Sequence, residues 1–169
     1  AQVLQYAEKS RQELDSISSS DEQIEKLKER YRGKVKEARD VALALSASRQ
    51  SAAKTLEEKV MGELNDLNMK GTTFKVSVTQ EASATGEIEH ESRVYMLYPT
   101  GLDRVEFLLA ANKGEDLQQL RKVASGGEMS RIMLALKKVI LDNDIVGTLI
   151  FDEVDTGISG KTAEIVGKK

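Results

Sequence analysis

Two adjacent carboxylates, Asp152 and Glu153, close a short apolar run, Thr148–Phe151, and they carry the strongest chemical signal in the chain. A run of this kind suits a buried parallel strand. Open α/β sheets bind their ligands at the carboxyl ends of such strands. There Asp152 can hold Mg²⁺, directly or through water, and Glu153 can polarise an attacking water. The plain alternative is a pair of acids that caps a loop. About 25 residues earlier stands a second signal, Ser125-Gly126-Gly127-Glu128. Ser125 followed by Glu128 is a capping box, and the two glycines leave the first-turn amides uncovered. A hydroxyl, bare N–H groups and the positive end of a helix dipole together suit an anionic phosphate. By itself this could be an ordinary N-cap with flexible glycines. The two signals in this order favour phosphate and water chemistry over both plain readings.

A third pattern does not survive inspection. Gly160-Lys161-Thr162 ends like a phosphate-cradling P-loop, but the position five residues before Gly160, where the loop needs glycine, is Asp155. An acid there would repel the phosphates. Ser159 is better read as the N-cap of a closing helix, with Lys161 on its surface.

The elements that must position these residues divide near Met69–Gly71. Before it, apolar residues recur three or four apart, among them Ile24, Leu27, Tyr31, Val35, Ala38, Val41, Leu45, Leu56, Val60, Leu64 and Leu67. This is one apolar stripe on a polar helix, with the period of a coiled-coil seam. Ser18-Ser19-Ser20 interrupts it, and Ser20 with Gln23 fits a capping box. The spacing thus predicts a short helix, a corner and a second helix of roughly 70 Å, at 1.5 Å per residue, ending near residue 68. Such a rod needs a partner stripe. After Gly71, Phe74, Val76 and Val78 alternate with polar residues as in a half-buried strand. Residues 81–92 read as an exposed polar loop, and Arg93–Tyr98 and Val105–Ala110 as strands around the Pro99-Thr100-Gly101 turn. The helix opened by Ser125 places Ile132, Leu136, Val139 and Ile140 on its apolar face. Domains of 1–69 and 70–169 follow.

Composition narrows the classes. In 169 residues, 31% are charged and 40% hydrophobic, with no cysteine, no tryptophan and one histidine. That excludes a disulfide framework and thiolate metal sites. With no bilayer-length apolar run, a soluble, cytoplasmic protein without membrane partners is predicted. The net charge of −3 gives no global attraction to nucleic acid.

The strings KVASGGEMSRIMLALK (122–137) and TLIFDEVDTGISG (148–160) resemble the RecN family of bacterial SMC-like DNA repair ATPases. The coil-to-strand stretch 45–78 and GLDRVEFLLAANKGE (101–115) resemble it as well, so most of the chain is covered. LQQL at 117–120 departs from the family pattern by lacking a proline before the leucine, away from the nucleotide site. The resemblance implies a partial α/β ABC-type ATPase head lobe on a long α-helical coiled-coil arm. It makes Ser125, Gly126, Gly127 and Glu128 the ABC signature, which acts in trans on the γ-phosphate of ATP held by a second head of the same protein. It makes Asp152 the Walker B Mg²⁺ ligand, Glu153 the catalytic base and Asp155 the D-loop aspartate. It further implies ATP and Mg²⁺ as cofactors, DNA as partner, homodimerisation, and a cytoplasmic, nucleoid-associated location. No Walker A motif occurs in these residues. The expectation is a C-terminal portion whose N-terminal head segment and ascending coil lie elsewhere, inactive by itself.

Lys26, Lys28, Arg30, Arg32, Lys34 and Lys36 place a cation at every second position, opposed within the run by Glu29. Phosphate contact through such a stretch would be sequence-independent and salt-sensitive. A solvated coil surface is the favoured explanation, so DNA as a partner rests on the family resemblance and not on this charge run. Two other classes fit parts of the pattern: a coiled-coil scaffold with a catalytically inactive ABC-like head, and a transporter's ATPase subunit. The intact acids count against the first and the long arm against the second.

Overall fold

The computed structural model describes residues 2–122, 126–140, 148–156, 158 and 160–168. One helix, α1, runs from Gln2 to Asp66. It passes through Ser18–Ser20 without a break, so the expected corner is absent. Serine costs a helix only about 0.5 kcal/mol per residue relative to alanine. The flanking residues are good helix formers with no proline, and a capping box alone does not stop a helix that can continue. The end of α1 has a definite stop. Asn68 takes a left-handed φ of 60°. The Met69 amide donates to Leu64 O at 2.9 Å and the Asn68 amide to Asn65 O at 3.1 Å. This is a Schellman motif, and Met69 and Leu64 also meet in the core, as the motif favours.

The chain forms two compact units. One comprises residues 1–44 and 82–102, the other 45–81 and 103–169. The helix-to-strand change does lie between Asp66 and Thr73.

In the second unit, β1 (Thr73–Gln80) pairs antiparallel with β4 (Asp103–Ala110), from Thr73↔Ala110 to Gln80↔Asp103. The short strand β5 (Gln118–Gln119) pairs antiparallel with β4 on its other side, giving the order β1-β4-β5. A 3₁₀ turn, Leu120–Lys122, precedes α2 (Gly126–Ile140), and α3 (Lys161–Lys168) closes the unit. Val60, Leu64 and Leu67 of α1 and its end pack with Phe74, Leu109, Ile132, Ala135 and Leu136 in one core. Burying each large side chain is worth about 1.5–3 kcal/mol as an upper bound. Ile132 and Leu136 are core residues as expected, whereas Ile140 at the helix end is exposed.

Polar groups register the layers. The Asp103 carboxylate, with no exposed side-chain area, accepts from Arg49 Nη1 at 3.1 Å and Ser46 Oγ at 2.6 Å. Gln80 Nε2 donates to Ser46 Oγ and to Asp103. Glu57 of α1 accepts from Lys75 Nζ and from the Val76 amide, each at 2.8 Å. Lys138 of α2 reaches Glu63 of α1 at 3.0 Å.

In the first unit, β2 (Ile88–His90), inside the expected loop, forms a hairpin with β3 (Arg93–Tyr95), the start of the expected strand. Its two linking residues, Glu91 and Ser92, both have positive φ, 48° and 62°. That pair of conformations belongs to a type I′ turn, whose twist suits a hairpin. Ile88 is buried with Ala42, Tyr95 and Leu102. The polar composition of 81–92 hid this single anchoring residue. At Gly86 a Cβ would lie 2.4 Å from the Tyr95 carbonyl, so only glycine permits the backbone to approach.

The expected strand at Thr148–Phe151 does not form: these residues are irregular, and Ile150 is 94% exposed. Both described sheets are antiparallel. A parallel strand buried on two faces exists only where neighbouring strands pair with it, and the described residues supply none.

Candidate functional site

The site sits in the second unit, where the first turn of α2 meets the segment after Phe151. A helix N-terminus leaves four amides without intrahelical partners, and α2 starts at Gly126-Gly127-Glu128. Glu128 is an acid in the first turn, where the helix dipole favours negative charge. Ser125, expected to cap the helix, lies outside the described residues, as do Gly157 and Ser159.

Residues 152–156 curl onto this end of the helix. Glu153 has a left-handed φ of 57°, uncommon for a residue with a side chain. The Thr156 amide donates to Glu153 O at 3.1 Å and the Ile158 amide to Asp155 O at 3.2 Å, which tightens the segment into successive turns. A Cβ on Gly127 would lie 2.9 Å from Thr156 Cβ and 3.0 Å from Thr156 O, so a side chain there would push the turn away. At Gly126 the corresponding neighbour is the Glu153 carboxylate, 2.6 Å from the position a Cβ would take. The two glycines thus do more than uncover amides. They create the space in which the acidic turn is seated.

Arg131, one helical turn beyond Gly127, secures that seat. It is 7% exposed, and its Nη1 donates to Thr156 O at 2.9 Å, with Val154 O at 3.5 Å. Its Nε has no acceptor among the described residues. Sequence reasoning missed Arg131. The available signal was its spacing: Gly127, Arg131 and Ala135 are four apart and all buried, which puts a cation on the packed face of an otherwise apolar helix.

The structure therefore brings Gly126, Gly127 and Glu153 together and adds Thr156 and Arg131. Asp152 and Asp155 are exposed. Asp152 borders a cleft of about 340 Å³ between the second turn of α2, at Met129 and Met133, and residues 149–151. Among the described residues no three acidic or imidazole groups converge into a metal cage. One exposed carboxylate is nevertheless a donor of the type Mg²⁺ uses, since the ion takes one or two carboxylates and fills its remaining positions with phosphate oxygens and water. The donor set fits an ion shared with a phosphate ligand. His90 lies on β2 in the other unit, beside Glu91 at 3.8 Å.

The basic stretch also differs from its reading in the sequence. Lys28 pairs with Glu25 at 2.7 Å and Lys34 with Glu37 at 2.6 Å, both exposed. Glu29 is thus not the only acid opposing the run. Exposed pairs of this kind are worth little in stability, but they reduce the charge available to phosphates.

No protein-family model matches the chain. Curated relatives do. It is 39% identical over 168 residues to the DNA repair protein RecN of Treponema pallidum, a match that takes in 99% of this chain and 28% of that protein. It is 36% identical over 169 residues to the DNA repair protein RecN of Bacillus subtilis, covering 99% of this chain and 29% of the relative. For the DNA repair protein RecN of Haemophilus influenzae the values are 36% over 166 residues, 98% and 28%. The chain therefore spans less than a third of the length of the relatives it matches.

Proposed function

We propose, from the premise that this chain is RecN-like over 99% of its length, that it forms the signature and Walker B half of an ABC-type ATPase head on a coiled-coil arm. The whole protein would use ATP-dependent engagement of two such heads in DNA double-strand break repair and recombination. The observation that supports this most is the seating of the 153–156 turn on the glycine face of α2. Two motifs about 25 residues apart in sequence present one surface, as a site that senses a phosphate and acts on a water requires.

In this reading the amides of Gly126 and Gly127, with Ser125, receive the γ-phosphate of ATP bound to the second copy of the protein. Glu153 accepts the proton of the attacking water at its carboxylate. Asp152 would hold Mg²⁺, which when bound offsets charge on the phosphate oxygens. Asp155 lies on the face that meets the opposite head. The nucleotide-cradling loop comes from residues other than these 169, so these residues alone bind no ATP productively. DNA is the partner, met by sequence-independent phosphate contacts. A cytoplasmic, nucleoid-associated location belongs to the same reading and rests on the likeness to DNA repair proteins. No helix among the described residues is long and apolar enough to cross a membrane.

The test is Glu153→Gln in the complete protein. The expected result is a drop in ATP turnover of about 10²-fold or more, because the base is lost while the phosphate contacts remain. ATP-bound dimers should accumulate, read as a doubled mass by light scattering. Turnover close to wild type would remove Glu153 from its role. Absence of ATP-dependent turnover in the wild-type protein would favour a scaffold with an inactive head.

A further inference from the structure

We propose that Arg131 is a positioning residue: its bond to the Thr156 carbonyl makes the seat of the Glu153 turn depend on α2. The proposal rests on the reading of Glu153 as the base and goes beyond it by naming what holds Glu153 in place. Three observations carry it. Arg131 is buried at 7% exposure, unusual for arginine, and its acceptors are backbone carbonyls, Thr156 O at 2.9 Å and Val154 O at 3.5 Å. Those carbonyls belong to the turn that starts at Glu153, whose left-handed φ of 57° must be held by its surroundings. Finally, Gly127 leaves no room between α2 and Thr156 for a Cβ, so the turn lies directly on the helix and moves with it.

The physical consequence is a short mechanical path. A phosphate that engages the first-turn amides shifts or stiffens the N-terminal end of α2. Arg131, four residues along, transmits that shift to Thr156, and the shift reaches Glu153 through the Thr156 N–H to Glu153 O bond of 3.1 Å. Occupation of the signature turn would then hold the base of the same copy more firmly in its working position, which ties hydrolysis to head engagement. Lysine at position 131 keeps the charge and most of the volume but lacks the fixed fork of donors.

The experiment compares Arg131→Lys with wild type in the complete protein. Hydrogen exchange of the 153–156 amides should slow on ATP addition in wild type and remain unchanged in R131K. Turnover number should fall about tenfold, with KM for ATP within about twofold, because an interaction that places the base acts on kcat and not on binding. The melting temperature should stay within about 3 °C. Equal ATP-induced protection in both proteins, or parallel losses of kcat, KM and melting temperature, would overturn the proposal. Hydrogen exchange reads the seat of the turn without requiring turnover. An altered exchange response in R131K would therefore stand even if Glu153→Gln hydrolysed ATP normally, an outcome that would sink only the assignment of the base.

Discussion

At the scale of single residues, a few positions are fixed by backbone geometry more than by contact. Asn68 is the plainest, because the end of α1 needs a left-handed residue and asparagine tolerates that region better than most. Asn68→Gly should be neutral or stabilising by a few tenths of a kcal/mol, whereas Asn68→Val should cost about 1–2 kcal/mol, since a β-branched side chain clashes there. Urea unfolding of the two variants would show the difference in midpoint. The candidate site was legible in part. Gly126, Gly127, Glu128, Asp152 and Glu153 could be singled out because a capping box and a carboxylate pair are local patterns. The seat they form could not. It depends on Arg131 reaching a carbonyl 25 residues away, and no local pattern encodes the partner of a buried cation.

Among the elements, Glu57 joins α1 to β1 through Lys75 and the Val76 amide. Burial alone would raise its pKa. The Lys75 pair, the Val76 N–H and the charge of Lys54 outweigh burial and hold it below the ordinary value of 4.5. A carboxylate whose folded pKa is depressed contributes stability above its unfolded value and loses it as pH falls through the folded one. Glu57→Gln should therefore cost about 1–2 kcal/mol at neutral pH, and its deficit against wild type should shrink below about pH 4.5. Denaturation midpoints measured at pH 7 and pH 3.5 check both the size and the sign. Element prediction succeeded where the period was long: the helix before residue 66, β1 and α2 all follow their apolar spacing. It failed at Ser18–Ser20, where a local cap signal lost to helix continuity. It failed again at Thr148–Phe151, where a strand-like composition found no neighbouring strand among the described residues. A strand is a property of a pair, and half of the information lies in the partner.

For the whole molecule, the account rests on division of labour between copies. Under the proposed function, the signature turn of one head would serve the nucleotide of another, in the two-fold arrangement that closed homodimers favour. The most direct measurement mixes two complete proteins, each inactive by itself: Glu153→Gln, which lacks the base, and Ser125→Arg, which blocks the signature turn. In a mixed dimer one composite site combines the intact base of the Ser125→Arg copy with the intact signature of the Glu153→Gln copy. With equal amounts and random pairing, half the dimers are mixed and each has one working site. ATP turnover should thus rise well above that of either component, to about a quarter of wild type at most, because the working base belongs to the copy whose own signature turn is blocked. A mixture no more active than its two components would contradict the claim that the signature acts in trans.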